Sequence, residues 1–416
     1  MSNFNIHPSF SLNGETFNTQ LELILYSESL SNELYWFLQE WFSDSDTLIV
    51  KTSGSTGVPK LVAIRKEFMR NSAKATGTFF NLGADTKALC CLSVNYIAGK
   101  MMVIRALELG WNLDIIEPVS NPLEDVFDEY DFCAMVPMQV QNSLWDLHLV
   151  KKLLIGGGVV SQTLQENLQS LSTQCFASYG MTETVTHIAI RKLNYFKDAT
   201  LTMPEQNIST PLDDQVLADD SNSKSLIQND VVSAQSDEQK RKVTKDEVFE
   251  RSREADTENE LDIRTKTNNV YQLLPNITIS QDNRGCLVID APLLSDEKVI
   301  TNDIIKQHSA TEFEWLGRYD NVINSGGVKL HPEQIEKELS KVITQRFFVT
   351  GIPDETLGEK LILVIEGENK EYDFNTLSLS KYEIPKQIYF VNEFVETETK
   401  KIQRKKTLDL ISFKPQ

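Results

Sequence analysis

The sequence is poor in the residues that mark secreted, membrane-spanning or metal-built chains. It has five cysteines and five histidines in 416 residues. Cys90, Cys91, Cys133, Cys175 and Cys286 are odd in number and scattered. They lack the paired spacing of a zinc site or a redox motif, and read as reduced core residues. No apolar run approaches the length of a membrane span. The opening Met1–Ser11 has no basic start, apolar middle or small-residue cleavage site, so the cytoplasm is the expected location. Positive charge is also scarce: 41 Lys and Arg against 60 Asp and Glu leave a net charge of -19. That balance, with a pI near 4.8, argues against a reader of nucleic acid or of anionic membranes and for small-molecule partners.

A second scarcity is local. Between Lys197 and Lys266 there is no Gly, Trp or Tyr, and Phe249 is the lone aromatic residue. The same window holds 17 acidic and 10 basic residues, -7 of the total charge. Such a segment cannot bury enough apolar area to offset its ordering entropy, so residues 197–267 are expected to form a disordered acidic insert. A short helical patch is expected at Val243–Arg253, where opposite charges recur at helical spacing.

The rest is patterned for two or three folded units. Short β-rich runs at Thr47–Lys51, Lys60–Ile64, Leu89–Val94, Leu113–Ile116, Phe132–Val136 and Lys152–Ile155 alternate with amphipathic runs. The latter, Lys66–Leu82, Gly99–Leu109 and Ser161–Ser170, predict helices of an α/β domain. Beyond the insert, Val270–Leu274, Ile277–Ser280 and Cys286–Ile289 predict a small antiparallel set. A last unit from about Asn321 has a helix over Pro332–Leu339 and strands at Arg346–Thr350 and Lys360–Ile365. Pro332 suits a first turn, and Glu333 and Glu336 its positive end.

Chemistry is concentrated in Thr52-Ser53-Gly54-Ser55-Thr56-Gly57-Val58-Pro59-Lys60, between two strand-like runs. Its glycines permit close backbone approach to phosphate oxygens, its hydroxyls donate hydrogen bonds, and Lys60 adds a cation. The glycine spacing is not that of a Walker loop, and Leu61 stands where that loop places a magnesium-binding hydroxyl. Taken alone, the stretch reads first as a phosphate cradle and second as a Ser/Gly-rich hairpin turn.

It does not stand alone. The loop resembles the phosphate-binding signature of the adenylate-forming superfamily: acyl-CoA synthetases, luciferases and peptide-synthetase adenylation domains. Further signatures follow in order. The resemblance places the turn Gly156-Gly157-Gly158 against adenine. In Ser178-Tyr179-Gly180-Met181-Thr182-Glu183 it puts the Tyr-Gly pair beside the nucleotide, Thr182 on phosphate and Glu183 on magnesium. Thr301-Asn302-Asp303 stands where the superfamily has Thr-Gly-Asp, with Asp303 on the ribose hydroxyls; Asn, like Gly, tolerates a left-handed backbone. In Trp315-Leu316-Gly317-Arg318-Tyr319-Asp320, Arg318 would reach ribose or phosphate and Asp320 would be the pivot between domains. Gly326 and Gly327 would line the passage for the pantetheine thiol. In Thr397–Arg404, Lys401 aligns with the catalytic lysine and Lys400 replaces a usual Gly.

The fold so implied is an α/β adenylate-forming enzyme. Residues 1–196 and 268–320 would form a large N-terminal domain with a shortened N-terminal region. Residues 321–416 would form a small, mobile α+β domain. The implied reaction is activation of a carboxylic acid by ATP and Mg2+ to an acyl-adenylate, then transfer to CoA. Within the superfamily, Leu92–Met102 and Ser325–Pro332 most resemble the o-succinylbenzoate-CoA ligases of menaquinone biosynthesis. For the unreactive carboxylate of such an acid, Lys100 is the first candidate cation, with Tyr96 and Met101 as wall residues; Lys100 reads equally as a surface helix lysine. Arg105, five positions on, does not share its helix face. His187 could be a pocket donor, and reads more simply as a hydrogen-bonded core histidine. Other acids, a carrier-protein thiol as acceptor, a nucleotide-binding relative without catalysis, and a homo-oligomer all stay open.

Overall fold

Local chemistry sets the helix boundaries in the first half of the chain. The computed structural model describes residues 6–51, 61–194, 269–397 and 402–411. Thr19 caps α1 (Gln20–Leu30) by accepting from the Glu22 amide, and Ser31 caps α2 (Asn32–Phe42) through Leu34. Beyond the two-stranded ribbon β3 (Thr47–Lys51) and β4 (Leu61–Arg65), α3 (Lys66–Phe80) ends on Asn81 at φ 50°, and α4 (Ile97–Leu109) on Gly110 at φ 74°. Ser161 caps α6 (Gln162–Leu168), which follows the short α5 (Pro137–Asn142).

These helices pack on a 13-stranded sheet. One half is parallel: β6 (Asn112–Ile115), β5 (Lys87–Cys90), β7 (Tyr130–Met135), β8 (Val150–Ile155) and β9 (Gln174–Gly180) lie in that spatial order. The short β1 (Ser11–Leu12), itself paired with β2 (Glu15–Thr16), extends it beyond β6. At β9 the direction changes. β10 (His187–Lys192), β11 (Val270–Leu273), β15 (Glu312–Arg318), β14 (Val299–Gln307), β13 (Cys286–Asp290) and β12 (Thr278–Gln281) continue the sheet antiparallel. The strands expected after residue 268 are antiparallel as predicted, and they form the second half of the main sheet because β11 inserts between β10 and β15.

A separate five-stranded sheet follows, of β16 (Ile323–Ser325), β17 (Val328–Leu330), β18 (Phe347–Asp354), β19 (Gly358–Glu366) and β20 (Gln387–Val391). With α7 (Pro332–Leu339) it has its own core of Ile323, Leu330, Ile335, Leu339, Val349 and Leu363. The helix expected at Pro332–Leu339 is found with those bounds, but its carboxylates do more than face a dipole. Glu333 accepts from the Asn321 side chain at 2.6 Å, and Glu336 accepts from the Val349 amide at 2.8 Å and pairs with Arg404 of α8 (Arg404–Leu408) at 2.9 Å. The described residues on both sides of 195–268 pack as one compact unit. All five cysteines are buried and free. The expected insert and its helical patch lie outside the described residues.

The strand expected over Leu89–Val94 ends at Cys90. The chain turns there because α4 passes directly over it: a Cβ at Gly99 would fall on the Ser93 and Leu92 carbonyls. Those neighbours are backbone and cannot swing aside. Gly99→Ala is expected to destabilise the protein by about 2 kcal/mol, the usual cost of overpacking, read as a lower denaturant midpoint at unchanged m-value.

Candidate active site

The carboxyl ends of the parallel strands and the first antiparallel strands converge on one edge, the usual ligand position in such sheets. Gly156-Gly157-Gly158 leave the end of β8, with Gly157 at φ 79° and Gly157 and Gly158 exposed. A side chain at Gly156 would press on the Ser178 hydroxyl, 2.7 Å from its Cβ. Ser178, Tyr179 and Gly180 end β9, and a Cβ at Gly180 would meet the Thr186 carbonyl. Met181, Thr182 and Glu183 follow in a tight turn that leaves Glu183 exposed. The turn closes on Val185 at φ 67°, ψ -65°, with the Thr186 amide donating to the Thr184 carbonyl at 2.7 Å. That three-residue geometry is strained for a β-branched residue, by about 1–3 kcal/mol, and such strain concentrates at functional sites.

Asp303 is the meeting point of three signatures. Its carboxylate accepts the Tyr179 hydroxyl at 2.7 Å and the Trp315 indole N–H at 3.2 Å, and the Arg318 Nε lies 3.7 Å away. Burial and the adjacent Asp303 charge push the Tyr179 phenol well above its ordinary range, so it stays a donor. Its ring packs edge-on against Phe313 and Tyr271.

Asn302 lies in extended β14 and is not among the described residues with positive φ, so backbone tolerance does not explain it. Its side chain accepts from Arg284 at 2.8 Å and donates to Asp320 at 3.1 Å, while Arg318 reaches Asp320 at 3.3 Å. Gly326 and Gly327, at φ 59° and 81°, form the two-residue turn between β16 and β17, a geometry that itself demands glycine.

The expected substrate residues separate. Tyr96 is exposed and Met101 is fully buried in the core. Lys100 is not a surface lysine: it is buried, its ammonium lies 4.5 Å from the Phe37 ring centre, and burial lowers its pKa against the raising influence of Glu40. Arg105, set aside in the sequence, joins the motif region. Its Nε donates to Thr76 Oγ1 at 3.2 Å, and His187 Nε2 lies 3.4 Å from the same oxygen. Thr76 spends its one proton on the Ser72 carbonyl at 2.9 Å, which makes His187 Nε2 a donor as well. Ser72 in turn meets Thr186 at 2.8 Å. Arg105 is 3% exposed with no carboxylate partner among the described residues, and burial brings its pKa down to about 10, so it remains charged at neutral pH. The five-residue offset from Lys100 gives no sequence signal for a buried guanidinium at Arg105.

Thr52–Gly57, Lys60 and Lys401 lie outside the described residues. Among the described residues there is no cluster of His, Cys, Asp and Glu able to hold a metal by itself. A lone exposed Glu183 fits magnesium brought in on nucleotide phosphates, which supply most of its oxygen ligands. Among the described residues no helix is long and apolar enough to cross a membrane.

Glycine-bearing loops at the switch point of such a sheet suit a nucleotide, and comparison with known proteins gives the family. Residues 38–218 match the family model for AMP-binding enzymes. An AMP-forming acyl-CoA synthetase/AMP-acid ligase II-like protein from Dyadobacter fermentans is 32% identical, with a TM-score of 0.51, over 91% of this chain and 94% of that one. The chain thus belongs to the AMP-binding, adenylate-forming superfamily, among its AMP-forming acyl-CoA ligases. A 2-succinylbenzoate–CoA ligase of Staphylococcus aureus is 24% identical over 94% of this chain and 72% of its own length. The fold also matches the o-succinylbenzoate coenzyme A synthetase of Bacillus subtilis solved with ATP and magnesium. That match has a TM-score of 0.62 and 15% identity, and covers 94% of this chain and 82% of that one.

Burial, and next the Arg105 charge, hold the His187 pKa down to about 3 from an ordinary 6.5. Above pH 6.5 both folded and unfolded chains keep the ring neutral. Below it the unfolded chain takes up a proton that the folded chain refuses, so stability falls as pH falls, by about 2 kcal/mol at pH 5. His187→Gln, which keeps a donor for Thr76, is expected to lose that part of the decline between pH 7 and 5 in urea titrations. An identical pH dependence in both proteins would refute the assignment.

Proposed function

We propose that the protein converts o-succinylbenzoate, ATP and CoA to the CoA thioester, AMP and pyrophosphate. The observation that carries the substrate is the buried, charged Arg105 beside His187 and Thr76, next to the Thr182-Glu183 turn. An unpaired guanidinium in that position costs free energy until an anion reaches it. A dicarboxylic acid brings one carboxylate for reaction and a second for this site. The sequence likeness to 2-succinylbenzoate–CoA ligases, 24% identical in the Staphylococcus aureus protein, supports the same acid.

In the first half-reaction a carboxylate oxygen attacks the α-phosphorus of ATP, the bond to pyrophosphate breaks, and an acyl-adenylate forms. Charge gathers on the phosphoryl oxygens, and fixed cations lower the barrier. Lys60 and Lys401 are assigned to that task. Asp303 holds the ribose, Thr182 donates to phosphate, and Glu183 would ligate magnesium, which supplies further positive charge when bound. In the second half-reaction the CoA thiol loses its proton and attacks the adenylate carbonyl, and AMP leaves. Movement of residues 321–416 about Asp320 would withdraw Lys401 and open the thiol's route past Gly326 and Gly327.

The test is incubation with ATP, Mg2+, CoA and o-succinylbenzoate, with AMP and thioester followed by chromatography. Equimolar AMP and o-succinylbenzoyl-CoA are expected. AMP only with other acids overturns the substrate, and no AMP with any of a panel of aryl and acyl acids overturns the ligase reading. Arg105→Met is expected to raise the KM for o-succinylbenzoate by on the order of 10-fold or more, the loss of a charge-assisted hydrogen bond. It should leave the KM for ATP unchanged. Equal effects on both would show that Arg105 only supports the fold.

A further inference from the structure

Asp303 is 7% exposed, yet its carboxylate is held from two strands besides its own. The reach of Trp315 depends on a defect in the sheet. β14 and β15 pair Asp303 with Arg318 and Ile304 with Gly317, and a regular ladder would next pair Ile305 with Leu316. The register instead skips a residue and pairs Ile305 with Trp315. Side chains alternate along a strand, so this bulge moves Trp315 onto the face that Asp303 and Ile305 share. Gly317, at φ 141°, absorbs the backbone distortion. The Leu316 carbonyl accepts from the Gln334 side chain of α7 at 2.9 Å. The bulge thus keeps the Leu316 carbonyl satisfied and places an indole N–H on Asp303 Oδ1.

We propose that Trp315 is a positioning residue for nucleotide binding: its N–H fixes the Asp303 carboxylate so that both oxygens are presented together to the vicinal hydroxyls of ribose. This rests on the reading of Asp303 as the ribose ligand. An ionised carboxylate has about four acceptor sites. Here Oδ1 is used once by Trp315 and Oδ2 once by Tyr179. Each oxygen therefore keeps a lone pair, and a 2′,3′-diol offers two O–H donors. The two protein donors differ in kind. A phenol can rotate and can accept, whereas an indole N–H can only donate. Trp315 therefore restricts rotation of the carboxylate, a preorganisation that is repaid on binding.

The experiment measures equilibrium binding of ATP and of 2′,3′-dideoxy-ATP, by calorimetry or competition, to the full-length wild type, Trp315→Phe and Asp303→Ala. Phe keeps an aromatic ring but removes the N–H together with part of the indole's volume, and the dideoxy-ATP arm separates the two losses. Trp315→Phe is expected to weaken ATP on the order of 10-fold and to change dideoxy-ATP by less than about two-fold. In turnover it should raise the KM for ATP and not that for the acid. The ratio of the two nucleotides is internal to each variant, so a partly folded preparation does not distort it. Equal weakening of both nucleotides by Trp315→Phe would reduce Trp315 to a packing residue. Unchanged ATP binding in Trp315→Phe, with discrimination lost in Asp303→Ala, would also overturn the proposal. If Asp303→Ala leaves discrimination intact, the ribose assignment itself fails and takes the role of Trp315 with it.

Discussion

The hydrogen bond from Tyr179 to Asp303 joins residues 124 positions apart and ties the two halves of the main sheet at the site. Tyr179 ends the last parallel strand, and Asp303 lies in the antiparallel half. A buried carboxylate without donors would be expensive, so this contact and the Trp315 N–H must both be made for the antiparallel strands to close over the edge. Much else follows. The Tyr179 ring is wedged against Phe313 and Tyr271, Arg318 is drawn toward Asp303, and its Nη2 reaches Asp320. Asn302, one residue before Asp303, holds the same Asp320 from the other side. The segment leading to the small sheet therefore starts from β15, the strand whose Arg318 pairs with Asp303 of β14.

Much of this was legible in the sequence because motifs report backbone requirements. The Pro-initiated α7 stands where turn chemistry puts it, whereas the glycine turn and the Tyr-Gly pair were legible only through the resemblance, and the strand β9 that carries the pair was not foreseen. What escaped was anything set by register. Alternation identifies Val270–Leu274 and its neighbours as strands, but no local signal says that they extend the main sheet instead of forming their own. The bulge at Leu316 is invisible in Trp-Leu-Gly-Arg, although it decides which side chain reaches Asp303. Arg105 was passed over because helix geometry was judged relative to Lys100, whereas α4 is buried nearly all round and can present useful groups on more than one face. Asn302 was weighed as a backbone substitute for glycine, and its role turned out to lie in its side chain.

The electrostatics also divide by place. A chain of net charge -19 nonetheless carries cations withdrawn from its acidic surface. Arg105 and Lys100 are buried, and Arg105 has no carboxylate partner among the described residues, so their fields are screened little by water or salt. The same burial explains why His187, beside Arg105, stays neutral, and why the Tyr179 phenol keeps its proton. Net charge is a poor guide to ligand charge when the deciding groups are this deep.

The junction of β10 and β11 carries a consequence of another kind. These strands are hydrogen-bonded neighbours, Ala189 opposite Leu273, although 77 residues separate Lys192 from Val270 in the chain. The chain leaves the sheet and returns to it at almost the same point. The entropic cost of such an excursion grows only with the logarithm of its length. The sheet therefore has a port: a position at which evolution or an engineer can splice in a regulatory element, a targeting tag or a whole domain while the register on either side is preserved.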